Sequence, residues 1–144
     1  MQKSNPSKID YMLSDTKIPI RLAFIKPDGF PNILSLWYEE INGKIFCATQ
    51  KSAKIVSYIQ KNPSCGFEIA ADNPPYKGVR GSGTARILEN KGQEILNILM
   101  KKYLGEKEST LSKFLKEHSS NEVGIEIIPS KIFNYDYSKR MRDV

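Results

Sequence analysis

The stretch Thr49-Gln50-Lys51-Ser52-Ala53-Lys54 gathers two hydroxyls and two ammonium groups between an apolar run and a segment of helical periodicity. The first backbone N–H groups of a helix have no intrahelical acceptor, and the aligned peptide dipoles leave partial positive charge at that end. Hydroxyls, cations and free N–H groups in one place suit a phosphate. An ordinary helix start with solvated lysines would use the same residues, with Ser52 as the cap. Two further stretches stand out. Leu34-Ser35-Leu36-Trp37-Tyr38 carries the only tryptophan, a residue that fits a core or the wall of a pocket for a flat aromatic ligand. Pro74-Pro75-Tyr76-Lys77-Gly78-Val79-Arg80-Gly81-Ser82-Gly83 sets an aromatic and two cations at a loop-to-strand junction, which equally describes a rigid loop feeding a bent strand.

Other familiar chemistry is missing. His118 is the only histidine, and Cys47 and Cys65 stand far apart in apolar segments. A zinc site needs more ligands than this, so the cysteines read as buried, reduced thiols and no metal is expected. There is no Gly-x-Ser-x-Gly elbow, no phosphate loop and no dinucleotide fingerprint. No nucleophile–base pair is visible, and no catalytic residue can be named. A bound cofactor would have to supply any difficult chemistry.

These residues need elements to position them. Ile9 to Ser14 has the spacing of a short helix. Ile18 to Ile25 and Pro31 to Tyr38 read as two strands joined by the turn Lys26-Pro27-Asp28-Gly29. Asn42-Gly43, which tolerates positive φ at both positions, leads into a strand over Lys44 to Thr49. Tyr58, Ile55 and Ile59 have helical spacing, and Asn62-Pro63 ends that helix. Cys65 to Ala70 and Gly78 to Leu88 are strands, the second with three glycines that imply bends or close backbone approach. Lys91 to Leu104 is an amphipathic helix closed by Gly105. Thr110 to His118 is another, expected to turn Leu111, Phe114 and Leu115 inward. Val123 to Ile128 is a sixth strand, interrupted by Pro129 and extended by Ile132 to Tyr137. Short hairpins without βαβ alternation imply an antiparallel sheet, and six such strands commonly close into a small barrel.

Size and charge set the frame. A chain of 144 residues suggests one domain, able to bury about 70% of its unfolded surface without disulfides or metal. No apolar run approaches the about 20 residues that span a bilayer, and Met1 to Lys8, polar and without a hydrophobic signal, is expected to be a flexible tail. A cytoplasmic location is the default expectation. The net charge of +6 favours an anionic partner. The basic residues are scattered, however. Their densest cluster, Lys139-Arg140-Met141-Arg142, falls near a basic C-terminal tail over residues 140–144, and no nucleic-acid motif is present.

The ordered set of features resembles the FMN-binding split β-barrel family related to pyridoxamine 5′-phosphate oxidase. The resemblance runs from about Ile9 to Lys139. It rests on Arg21-Leu22-Ala23, Asp28-Gly29-Phe30-Pro31, Leu34-Ser35-Leu36-Trp37-Tyr38, Ile45-Phe46-Cys47-Ala48-Thr49 and Ser52-Ala53-Lys54. Val79-Arg80-Gly81-Ser82-Gly83-Thr84-Ala85 and the closing Ile128 to Tyr137 complete it. The resemblance implies a mainly β fold with flanking helices, a six-stranded antiparallel split barrel over residues 9–139. It implies a homodimer with a cofactor at each subunit interface. Thr49, Ser52 and Lys54 would hold the FMN phosphate. Ser35, Leu36 and Trp37 would lie beside the isoalloxazine ring, and Ala48 would leave room for the ribityl chain. Tyr76, Lys77 and Arg80 would reach in from the partner subunit.

The implied activity is flavin-dependent oxidoreduction of a small substrate. A deazaflavin coenzyme on the same barrel is the nearest alternative, followed by a non-enzymatic flavin or haem binder. Three departures from the family pattern matter. Ala53 stands where the family often has Arg, Tyr135 where it often has Trp. The C-terminal Arg-x-His substrate motif of the true oxidases is missing, which argues against pyridoxamine phosphate as the substrate.

Overall fold

A computed structural model describes residues 17–142 of the chain. The helix expected over Ile9 to Ser14 lies outside that range. The strands are β1 (Ile20–Ile25), β2 (Pro31–Leu36), β3 (Glu39–Ile41), β4 (Lys44–Gln50), β5 (Ser64–Ala70), β6 (Lys77–Leu88) and β7 (Glu122–Asp136). The α-helices are α1 (Lys54–Lys61), α2 (Gly92–Leu104) and α3 (Thr110–Glu117). The seven strands form one sheet in the order β2-β1-β5-β6-β7-β4-β3. Every neighbouring pair is antiparallel.

The two outer strands of that sheet, β2 and β3, are successive in the chain and separated only by Trp37 and Tyr38. The sheet therefore curls until its ends meet at one bent segment, and the barrel is split in its hydrogen bonding at that point. Period-two alternation turns Ile20, Leu22 and Phe24 of β1 into the interior with Ile45 and Cys47 of β4. Ile55, Val56 and Ile59 of α1 join the same core. A second cluster lies outside the barrel wall, where Ile95, Leu99 and Tyr103 of α2 pack on Trp37, Phe46, Ala48 and Leu88. Ala48 pairs with Gly124, and a Cβ on Gly124 would strike the Ile95 side chain. Small residues on β4 and β7 thus make the seat for α2.

The turn signals behave as their chemistry dictates. Asn42 and Gly43 adopt φ of 52° and 82°, so β3 and β4 form a hairpin with two left-handed residues. In the β1–β2 hairpin the Gly29 N–H donates to the Lys26 carbonyl at 2.9 Å. At Gly81 the space is closed rather than the dihedral unusual: a Cβ there would meet the Lys131 carbonyl and the Phe67 ring. Gly105 closes α2 with φ of 76°.

The structure revises several expectations. The described residues hold seven strands, because the segment read as a single strand over Pro31 to Tyr38 breaks after Leu36 and resumes at Glu39. Pro129 does not divide β7. The β6–β7 register shifts between Ser82 and Gly83, so the residue without an N–H is absorbed in a bulge. Ser52 does not cap α1: the cap position is Ala53, and no side chain bonds to the first turn. Helix α3 is capped instead by Ser109, which accepts from the Ser112 N–H while the Ser112 side chain accepts from the Ser109 N–H. Leu111 and Phe114 of α3 are exposed rather than buried. Cys47 and Cys65 are free and buried, and burial pushes their thiols up to about 12 and about 11.

Candidate functional site

The split in the barrel creates a local problem of polar satisfaction. Ile20 pairs with Leu36 and Glu39 pairs with Phe46, so Trp37 and Tyr38 fall between two ladders. Tyr38 is fully buried. Its N–H donates to the Tyr103 hydroxyl at 3.2 Å, and its carbonyl accepts from Lys102 at 2.8 Å. The Tyr103 hydroxyl in turn donates to the Ile18 carbonyl at 2.9 Å. Lys102 also pairs with Glu39 at 3.4 Å and sits 3.8 Å from the centre of the Tyr38 ring. Trp37 lies flat on Tyr103, with ring centres 5.1 Å apart. Helix α2 thus supplies the donors and acceptors that a neighbouring strand would otherwise supply. Burial raises the Tyr103 hydroxyl to about 12, so it remains a proton donor across the physiological range.

The β4–α1 junction presents the opposite situation, with polar groups that protein atoms satisfy only in part. Gln50 to Ala53 forms a turn in which the Ala53 N–H donates to Gln50 and the Lys51 N–H to Asn121. The N–H groups of Lys54 and Ile55 open α1 and have no intrahelical acceptor by position. No side chain caps them, and no carboxylate lies in the first turn. Lys51, Ser52 and Lys54 are exposed and Thr49 is half-buried. The nearby acid is Glu122, opposite Gln50 across the β4–β7 ladder. It is buried, its Oε2 has no hydrogen-bond partner, and burial raises its carboxyl above the ordinary range.

The third polar region is the sheet face that no described helix covers. Ser35, Arg21, Glu68, Arg80 and Phe133 are successive partners across β2, β1, β5, β6 and β7. All but Ser35 line a groove of about 660 Å³, together with Ala23, Ile33 and Gly66. An adjoining depression of about 350 Å³ shares Arg21, Glu68 and Arg80 and adds Tyr76 and Tyr135. Glu68 accepts from the Tyr135 hydroxyl at 2.8 Å. Arg21 donates to the Ser35 hydroxyl at 3.1 Å, and Arg80 lies 5.6 Å from the centre of the Tyr135 ring.

The residues singled out in the sequence therefore fall in three places. Thr49, Ser52 and Lys54 stand together at the β4–α1 junction. Ser35, Tyr76 and Arg80 border the open face, with Lys77 beside them opposite Asp136 on β7. Leu36 packs against the barrel core, while Trp37 and Ala48 lie beneath α2. Strand alternation sends Ala48 and Thr49 to opposite sides of β4. The sequence reading missed Arg21, Glu68 and Tyr135 as one group and Lys102 with Tyr103 as another. An arginine and a glutamate inside apolar strands were the available signal for the first. Among the described residues no group of His, Cys, Asp and Glu could hold a metal ion. No helix there is long and apolar enough to cross a membrane.

By sequence, neither a protein-family model nor a curated protein matches the chain. Solved structures do match by fold. A conserved hypothetical protein of Mycobacterium tuberculosis aligns with a TM-score of 0.76 at 19% identity, covering 97% of this chain and 92% of that one. An F420 reductase aligns at 0.71 and 17% identity over 85% of this chain and 94% of that one. A Listeria innocua protein provisionally assigned as a pyridoxamine 5′-phosphate oxidase aligns at 0.64 and 18% over 85% and 91%. The chain thus folds as a split barrel of the pyridoxamine 5′-phosphate oxidase type, as the sequence resemblance implied. The same fold carries HutZ, the heme storage protein of Vibrio cholerae, at 0.66 and 14% identity over 85% of this chain and 89% of that one. One fold thus serves chemically distinct ligands.

Two predictions follow from this geometry. Tyr103→Phe leaves the buried Tyr38 N–H without its acceptor and should destabilise the protein by about 1–3 kcal/mol in urea unfolding. Glu122 has a folded-state pKa above its unfolded value, so its contribution is most favourable below the unfolded pKa and is lost as pH rises through the folded one. Glu122→Gln should therefore raise the unfolding midpoint at pH 7.5, with the gain shrinking toward pH 4. A gain that grows on acidification would contradict that assignment.

Proposed function

We propose that this chain is a homodimeric oxidoreductase that binds a flavin-type cofactor, FMN or a deazaflavin coenzyme, with the cofactor phosphate at the β4–α1 junction. The observation that carries the reading is the uncapped start of α1, with no acidic residue in its first turn and flanked by Thr49, Lys51, Ser52 and Lys54. The residues present fit a phosphate monoester. Backbone N–H groups and hydroxyls donate to its oxygens, and two ammonium groups offset its charge. When bound, the cofactor would supply hydride transfer to or from a small substrate. The chain's part would be to hold the phosphate, orient the ring and exclude water.

The dimer belongs to the same proposal. Ile33 and Phe133 are 61% and 53% exposed on the open face, an apolar surface that a second copy would cover. Ser35, Tyr76, Lys77 and Arg80 would then lie near the join, with Leu36 behind them. Trp37 and Ala48 would shape the site from below through their packing on α2. Buried, unpaired cysteines suit a cytoplasmic setting, where thiols stay reduced. The deazaflavin variant of the reading is favoured by one feature, the additional cations Arg21 and Arg80, which suit a longer anionic tail.

The test is an absorbance and fluorescence titration with FMN and with a deazaflavin coenzyme, on the wild type and on Lys54→Ala. The reading expects saturable binding of one cofactor, weakened about tenfold by the substitution, about 1.4 kcal/mol. A wild-type protein that binds neither would sink it.

A further inference from the structure

We propose that the apolar stripe of α3 is a docking surface for a segment of this same chain, Ile9 to Ser14, which precedes the described residues. This surface is separate from the open sheet face and from the start of α1, because α3 runs beside α2 on the outside of the barrel.

Leu111, Phe114, Leu115 and, just past the helix, His118 stand at i, i+3, i+4 and i+7, the spacing of one helical face. Leu111 is 47% and Phe114 54% exposed. The Phe114 ring lies against the His118 ring with centres 4.3 Å apart, which widens the stripe. The inward side of α3 is held by Ser112, which is buried and engaged in the cap. A helix as short as α3 is marginal on its own and takes most of its stability from packing an apolar face. The described residues leave that face uncovered.

The entry point of the chain selects the occupant. The Ile18 carbonyl accepts from the Tyr103 hydroxyl, so the described chain begins against the last turn of α2. Helix α3 is close to that point, since Met100 of α2, Gly105 and Ser112 of α3 line one cavity of about 200 Å³. Helices that pack side by side stand about 8–10 Å apart. Ser14 to Lys17 spans up to about 14 Å when extended, so Ile9 to Leu13 is within reach of the stripe. Ile9, Met12 and Leu13 repeat the i, i+3, i+4 spacing, and two short apolar stripes of that kind bury each other. The charges agree in sign. The segment carries Asp10 and Asp15, while Lys113 and Lys116 beside the stripe are exposed and form no ion pair with a described residue. Tethering favours this occupant over a second copy. A short linker holds a segment at an effective concentration on the order of millimolar, far above that of a separate chain in dilute solution.

Amide hydrogen exchange and methionine-methyl NMR on the intact protein provide the test. The Met12 methyl should show a nuclear Overhauser contact with the Phe114 ring. The amides of Leu13 and Ser14 should exchange at least about tenfold more slowly than in an unstructured chain. Leu111→Ser combined with Phe114→Ser should abolish both signals while the barrel amides keep their protection, since both side chains are exposed. The reciprocal variant, Met12→Ser with Leu13→Ser, should move the Phe114 ring signals toward those of a solvated phenylalanine. Refolding with an excess of deuterated chains should leave the contact in place, as one within a single molecule requires. Fast exchange of Leu13 and Ser14 in the wild type, or protection that survives the α3 variant, would overturn the assignment. So would a contact that fades on refolding with deuterated chains, or an oligomer that dissociates in the α3 variant, because either makes a second copy the occupant.

Discussion

Everything in this fold depends on how the chain satisfies the backbone of Tyr38. A sheet that curls into a barrel must either close its hydrogen-bond ladder or leave two edges, and unpaired N–H and C=O groups in a dry interior are costly. Here the edges belong to one continuous segment that pairs with β1 up to Leu36 and with β4 from Glu39. Between them Tyr38 points fully into the core and takes its partners from the side chains of α2. Helix α2 is therefore part of the barrel wall. Its seat on Ala48 and Gly124, and the Trp37 ring on Tyr103, follow from the need to bring Tyr103 and Lys102 to that point.

The same arrangement explains why the two polar regions lie where they do. Helices α1 and α2 are committed to the core and to the outside of β4 and β7. The face of β2, β1, β5 and β6 is left without a described covering element, and the start of α1 is left without a cap. Protein groups that have no internal partner are the ones available to a ligand or to a second subunit. The uncapped N–H groups with Lys51 and Lys54 suit a phosphate, whereas the exposed Ile33 and Phe133 of the open face suit a second copy of the chain.

Much of the architecture was legible in the sequence because its signals are local. Asn42-Gly43 and Lys26 to Gly29 mark their hairpins, since positive φ at those positions is open to few residues. The spacing of Ile55 and Ile59 marks α1. The misreadings arise where long-range packing decides. Apolar residues continue through Trp37 and Tyr38, so nothing local reveals that the strand changes partners there. Pro129 looks like a stop, but a bulge opposite Gly83 absorbs it. An amphipathic pattern over α3 says that one face is apolar without saying that it is covered, and Leu111 and Phe114 stay exposed. At the candidate site, Thr49 to Lys54 was readable because it is contiguous. Arg21, Glu68 and Arg80 were not, because only the register of three strands distant in sequence makes them neighbours.

The most direct test of the account is whether a phosphate contacts the start of α1. Amide-resolved NMR titration of the intact protein with FMN, and separately with riboflavin, which lacks the phosphate, answers it. The account predicts that FMN shifts the amide signals of Ser52, Lys54 and Ile55 in a saturable way, and that riboflavin leaves those three in place even where it perturbs the rest of the site. FMN binding that leaves these amides unmoved, or equal shifts with riboflavin, would contradict it.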